Sequence, residues 1–168
     1  MNRKTFALSH IRLRPTTADD LPTFYAQQLD PEANRMAAFT AKDPSDREPF
    51  AAHWNKLLAD ASIHKMTVLA DEKIAGYIVH FEHFEQFGHP SVGYWLGTEY
   101  WGKGIATTVL QTFLQLIPAR PVYARVAKDN VGSIRVLQKC GFQTVGEDKG
   151  FSAARGSEVE EFIMRREA

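Results

Sequence analysis

An α/β fold, with a twisted mixed sheet at the centre and helices on its faces, is what the sequence predicts, and three observations predict it. Strand-like and helix-like segments alternate along the 168 residues in the order β-α-α-β-β-β-α-β-α-β-β. A strand pattern at 91–97 leads through a helix at 103–117 to another strand at 121–127, and such a crossover makes the fourth and fifth strands parallel or divergent. No repeat, low-complexity tract or Ser/Gly linker divides the chain, so residues 1–168 are expected to form one domain.

The elements follow in order. FALSHIRLRP (6–15) is a strand ended by Pro15. TTADDLPTFYAQQL (16–29) is a helix, with Thr17 placed to cap it and Pro22 near the first turn, where a missing N–H does little harm. In DPSDREPFAAHWNKLLAD (43–60), Ser45-x-x-Glu48 forms a capping box, and Phe50, Trp54, Leu57 and Leu58 recur at helical spacing. HKMTVLA (64–70) and KIAGYIVHFEHF (73–84) flank the turn residues Asp71-Glu72, which predicts an antiparallel hairpin. SVGYWLG (91–97) is the fourth strand. The helix KGIATTVLQTFLQLI (103–117) turns Ile105, Val109, Leu110, Phe113, Leu114 and Ile117 to a core. PVYARVA (121–127) is the fifth strand, and NVGSIRVLQKCG (130–141) is a short helix stopped by Gly141. FQTVGED (142–148) and EVEEFIMRRE (158–167) complete the sheet.

Lys+Arg and Asp+Glu are 20 each, so the chain lacks the basic excess that non-specific nucleic-acid binding requires. The single cysteine, Cys140, excludes an intramolecular disulfide and a cysteine-rich zinc site. The first fifteen residues lack the apolar core of a signal peptide, and no run reaches the ~18 apolar residues of a membrane span. A soluble cytoplasmic protein without membrane or nucleic-acid partners is expected.

The chemistry concentrates in TEYWGKGIATT (98–108). GTEYWGKG (97–104) approaches a Walker A loop, but Gly104 stands where a magnesium-binding Ser or Thr is required. A dinucleotide-binding G-x-G-x-x-G fails at Thr107. What remains is a glycine-rich turn between a strand and a helix start. The free N–H groups and positive dipole of that first helical turn make an anion site, glycine lets the anion approach, and Thr107, Thr108 and Lys103 add donors and charge. No metal is required, so a pyrophosphate on a carrier fits best. A plain tight turn is the alternative.

GYWLGTEYWGKGIATTVLQTFL followed by YARVAKDNVGSIRVLQKCGF resembles the GNAT superfamily of acetyl-CoA-dependent N-acetyltransferases, and most of all its branch of ribosomal-protein-alanine acetyltransferases. The superfamily's Gln/Arg-x-x-Gly-x-Gly/Ala loop falls on Trp101, Gly104 and Ala106. Its Asn-x-x-Ser block with a Gly-Phe pair falls on Asn130, Ser133, Gly141 and Phe142. The resemblance implies that the fourth and fifth strands splay to admit acetyl-CoA as co-substrate. Backbone groups of Tyr94, Trp95 and Leu96 would then hold the pantetheine arm and polarise the thioester. Gly102, Lys103, Gly104, Ile105, Ala106 and Thr107 would grip the pyrophosphate. Asn130 would bond to the pantetheine arm, besides being a natural helix cap, and Ser133 would assist the departing sulfur.

The implied reaction is direct attack of a neutral primary amine on the thioester. Several relatives carry a glutamate two residues before the position of Gly93, and here that position is Ser91. Substitutes lie upstream in VHFEHFEQFGHP: His80 and Glu82, which share one strand face and are the first candidates for the base, then His83, Glu85 and His89. His80-x-x-His83 lacks a third ligand, so no metal is expected. Trp95 and Tyr123 read as packing, with Tyr123 also placed to face the acceptor. Cys140 reads as a small buried hydrophobe rather than an acetylated intermediate. The acceptor is a protein N-terminus or a small amine, a catalytically silent CoA-binding module is the other function class, and a homodimer is left open.

Overall fold

The computed structural model describes residues 10–84, 88–117 and 121–167. Residues 6–9 of the expected first strand, and the candidate Glu85, lie outside these described residues. The strands are β1 (Ile11–Pro15), β2 (Ile63–Ala70), β3 (Lys73–Phe84), β4 (His89–Leu96), β5 (Val122–Ala127), β6 (Gln143–Ser152) and β7 (Ser157–Arg166). They form one sheet in the order β1-β2-β3-β4-β5-β7-β6. Its helices are α1 (Leu21–Gln28), α2 (Pro31–Ala37), α3 (Arg47–Ala59), α4 (Ile105–Leu114) and α5 (Val131–Lys139). Every pairing is antiparallel except that of β4 with β5, so the sheet is mixed, as the crossover at 91–127 requires.

The hairpin at Asp71-Glu72 forms as expected, with Ala70 facing Lys73 across a two-residue loop. Both loop residues take the left-handed region, φ 47° and 67°, which matches the right-handed twist of the flanking strands. The main core lies between the sheet and α4 and α5. There Val92 and Leu96 of β4, and Val122, Ala124 and Val126 of β5, meet Ile105, Val109, Leu110, Phe113 and Leu137. A second cluster on α1 and α3 packs Phe24, Trp54 and Tyr77, with ring centroids 4.7–5.0 Å apart. Near it Asp20, 2% exposed, binds Arg14 at 2.7 and 2.8 Å, the Thr67 hydroxyl at 2.8 Å and the Thr17 N–H at 3.0 Å. That set of donors compensates a buried carboxylate, which would otherwise be costly.

Three local expectations shift. The first helix splits: Thr17 opens a 3-10 turn at Ala18–Asp20, and α1 begins at Leu21 with Pro22 in its first turn. Ser45 does not cap α3. Its hydroxyl donates to Asp43 at 2.6 Å in a local turn, and Asp46 caps instead, accepting from the Glu48 N–H at 3.1 Å. An unexpected helix, α2, follows Asp30, whose carboxylate accepts from the N–H groups of Glu32 and Ala33 at 2.9 and 3.4 Å. Pro31 supplies the fixed φ of its first position. In addition, β6 runs to Ser152, beyond the strand expected at 142–148.

Candidate active site

The site begins where the sheet stops pairing. β3 and β4 are in register from Gly76↔Leu96 to Phe81↔Ser91, whereas β4 and β5 meet at one rung, Ser91↔Tyr123. Beyond it the two parallel strands diverge into a cleft of about 650 Å³, a size typical of small-molecule sites. β4 contributes Val92–Leu96 to the cleft, β5 contributes Ala124–Ala127, and α2 adds Ala33, Met36 and Ala37. The Gly97 N–H donates to the Ala75 carbonyl on β3 at 2.9 Å. Strand alternation therefore turns the main-chain groups of Leu96 and Tyr94 the other way, into the gap. Trp95 also lines the cleft, and its buried indole N–H has no hydrogen-bond partner among the described residues.

At the outer end of the cleft, the loop after β4 turns into α4. The Trp101 indole N–H donates to the Leu96 carbonyl at 3.0 Å and fixes the loop. Gly102 and Gly104 have φ of 71° and 76°, and a Cβ added at either would meet nothing within 4 Å. Backbone conformation, not crowding by the protein, therefore selects glycine, and the space above it stays open for a ligand. Gly104 caps α4 without a side-chain hydrogen bond, so the N–H groups of the first turn remain available to an anion. Ile105, Ala106 and Thr107 line the cleft at this turn, and Lys103 is exposed on the loop.

Inside the cleft, the Tyr94 phenol and the Ser133 hydroxyl are 2.7 Å apart. Burial pushes the Tyr94 phenol up to about 12 against the opposing pull of this bond, so it stays protonated. Asn130 caps α5: its Oδ1 accepts from the Ser133 N–H at 3.3 Å, while its Nδ2 donates to the Met36 carbonyl at 3.3 Å. One Nδ2 proton is then left for a ligand. The structure thus gathers Tyr94, Trp95, Leu96, Gly102, Gly104, Ile105, Ala106, Thr107, Asn130 and Ser133 around one cleft.

The two first candidates for the base are elsewhere. His80 faces the α4 core beside Ile78 and is fully buried, opposite Val92. Glu82 shares that face of β3, as expected, but it bonds the His64 ring nitrogen at 3.1 Å. Neither lines the cleft, because β3 presents this face to the underside of α4 rather than to the gap. His83 is exposed. His89 instead lies against Ser91 and Tyr123. Cys140 is buried with its thiol 3.7 Å from the Thr107 carbonyl, and burial pushes that thiol up, away from reactivity.

Arg135 and Lys139 were missed by the motif. One turn apart on α5, they line the cleft, and their i, i+4 spacing is the signal that marks a basic stripe. Gly132 in the first turn of α5 also lines it, with nothing within 4 Å of an added Cβ. Among the described residues no group of three His, Cys, Asp or Glu side chains could hold a metal ion, and no helix is long and apolar enough to cross a membrane.

A mixed sheet opened between two parallel strands, with a glycine-rich turn at the mouth and a hydroxyl pair inside, is the architecture of an acetyltransferase fold. Residues 10–143 match the acetyltransferase (GNAT) domain family, and the chain belongs to it. It is 22% identical over 168 residues to an uncharacterized N-acetyltransferase, p20, of Bacillus licheniformis, covering 96% of this chain and 94% of that protein. Among solved structures it is similar to RimJ of Mycobacterium smegmatis in complex with CoA-disulfide, at a TM-score of 0.79 and 20% identity over 96% of this chain and 84% of that one. It is also similar to the spermidine N-acetyltransferase of Vibrio cholerae in complex with CoA and spermine, at a TM-score of 0.78 and 18% identity over 94% and 95% of the two chains. At these identities the solved structures share the fold.

Proposed function

We propose that the protein is an acetyl-CoA-dependent N-acetyltransferase that moves the acetyl group directly to a primary amine, a protein N-terminus or a small amine, in the cytoplasm. The observation that carries this is the unpaired gap between β4 and β5, lined at its mouth by Gly102 and Gly104–Thr107 and inside by Tyr94 and Ser133. In this function the α4 turn and Lys103 hold the pyrophosphate, with Arg135 and Lys139 adding charge for the remaining phosphate. The main-chain groups of Tyr94 and Leu96 that face the gap orient the pantetheine arm and place donors where charge develops on the carbonyl oxygen. Ser133, held by Tyr94, delivers a proton towards the departing sulfur. Alignment of amine and thioester in the cleft supplies much of the acceleration.

The second function, a silent CoA-binding module, is favoured by Ser91 in place of a carboxylate and by the exclusion of His80 and Glu82 from the cleft. One experiment separates the two. Purified protein is assayed for thiol release from acetyl-CoA against amino-acid amides, short peptides and polyamines, alongside its thermal stabilisation by CoA. Turnover with any amine supports the enzyme. Stabilisation without turnover favours the silent binder, and no stabilisation removes both.

A further inference from the structure

We propose that the acceptor is a primary amine on an apolar body that carries no second positive charge, and that α2 supplies the wall that selects it. The inference rests on the acetyltransferase function proposed above. Strand alternation sorts the cleft lining into two faces. Val92, Tyr94 and Leu96 of β4, with Ala124 and Val126 of β5, belong to the side of α4 and α5. Gly93 and Trp95, with Arg125 and Ala127, belong to the other. There Trp95 is in register with Tyr77, whose ring packs on Phe24 of α1 and Trp54 of α3. Ala127 clusters with Ala38, at the end of α2.

The two faces differ in charge. On the α5 side Arg135 and Lys139 line the cleft, exposed and without an ion-pair partner among the described residues, and they suit the phosphates of the acetyl donor. With the phosphates on that side, the α2 side is left to the acceptor. Its lining is Ala33, Met36, Ala37, Gly93 and Trp95, with Arg125 the one charged side chain among the described residues. Arg125 Nη1 donates to Asp148 and to Glu161, each at 2.8 Å, and neither carboxylate lines the cleft. Among the described residues no Asp or Glu lines either face.

That lining treats two kinds of nitrogen differently. The reacting amine attacks only when neutral, so it needs no counterion, and apolar walls favour its neutral form by penalising the ammonium. A second ammonium on the same acceptor stays charged throughout. Among alanine, methionine and indole it is a charge taken from water with no carboxylate to meet it, and the nearest fixed charge, on Arg125, has the same sign. An aliphatic or aromatic body gains from contact with the same walls. Met36 is the adjustable part of the wall. It is half-buried, and it is tied to Asn130 through its main-chain carbonyl, so its side chain can change while the tie stays.

Matched acceptors that differ only by the second ammonium test this. The pairs are pentylamine and 1,5-diaminopentane, norleucinamide and lysinamide, and short peptides that begin with norleucine or lysine. In the pair with the fastest member, kcat/KM is expected to favour the singly charged amine by about tenfold or more. A preference above threefold supports the proposal. One below threefold, or reversed, overturns it and leaves the acetyltransferase standing. Thiol release with none of the six overturns it as well, and failure of the wider amine panel too, with CoA still stabilising the fold, overturns the acetyltransferase. Met36→Glu puts a carboxylate in the wall. It is expected to shift the ratio about tenfold towards the doubly charged member, by moving the two rates in opposite directions. An equal change in both removes α2 as the selecting wall and overturns the proposal. If CoA does not stabilise Met36→Glu, the wild-type ratio decides.

Discussion

The two edges of β4 differ in one respect that organises the molecule. Toward β3 the strand is paired along its length, and the sheet from β1 to β4 is closed by ladders, the Phe24–Trp54–Tyr77 cluster and the Asp20 knot. Toward β5 it is paired once, and the main-chain groups left over face a cleft. The first edge provides stability, and the second, in the proposed function, provides chemistry. A fold that withholds backbone pairing must offer those groups another partner, and in the proposed function an amide-rich arm would be that partner.

Substitutions should separate the two edges cleanly. The largest effect is expected on the closed side. Asp20→Ala strands Arg14 and Thr67 and should lower unfolding free energy by about 3 kcal/mol, read from urea midpoints. Acid sharpens the test. Burial opposes ionisation of Asp20, but the hydrogen bonds from Arg14, the Thr17 N–H and Thr67 outweigh it and hold the carboxyl below its ordinary 3.8. Its stabilisation is therefore complete above about pH 4 and is lost as pH falls through the lower folded value. The wild-type midpoint should drop further into acid than that of Asp20→Ala.

On the open side, Gly104→Val puts a branched side chain at φ 76° and into the ligand space. Stability should fall by about 1–2 kcal/mol, while affinity for CoA falls roughly 100-fold, removing about 2.7 kcal/mol of binding. Titration calorimetry measures this. Equal affinities would mean that the α4 turn is only a turn. Tyr94→Phe removes the partner of the Ser133 hydroxyl. It should lower kcat about tenfold, or 1.4 kcal/mol, with CoA stabilisation unchanged. The smallest effect is Gly132→Ala, which should stabilise the free protein by about 0.5–1 kcal/mol, because the helix gains and nothing protein-borne is crowded. A smaller stabilisation by CoA in that variant would show that the glycine serves the ligand.

Much of this was readable from residues alone. The strand order, the hairpin at Asp71-Glu72, the apolar stripe of α4 and the glycine turn are local patterns, and local patterns survive into the fold. Positions that depend on register were not readable. Alternation places His80 and Glu82 on one face of β3, but only the assembled layers say that this face lies under α4. The stack of His89 on Tyr123 joins residues on different strands at the sole β4–β5 rung, and no spacing in the chain encodes it. α2 is two turns long with no apolar period, so only its Asp-Pro start announces it. Ser45 and Asp46 compete for one cap, and the competition is settled by Asp43, which captures Ser45.

That short helix has a mechanical role out of proportion to its length. Asp30, which caps it, accepts from the Thr98 hydroxyl on the β4 side of the cleft at 2.7 Å. Asn130, on the β5 side, donates to the Met36 carbonyl near its other end. Just beyond, Ser152 donates to the Ala38 carbonyl, and Arg155 donates to the Arg35 carbonyl at 2.8 Å. α2 therefore behaves as a tie-rod bolted to both banks of a split sheet. The aperture that the strands leave unregulated has its width set by a strut of seven residues, so the gauge of the cleft is written in a segment that belongs to neither of its walls.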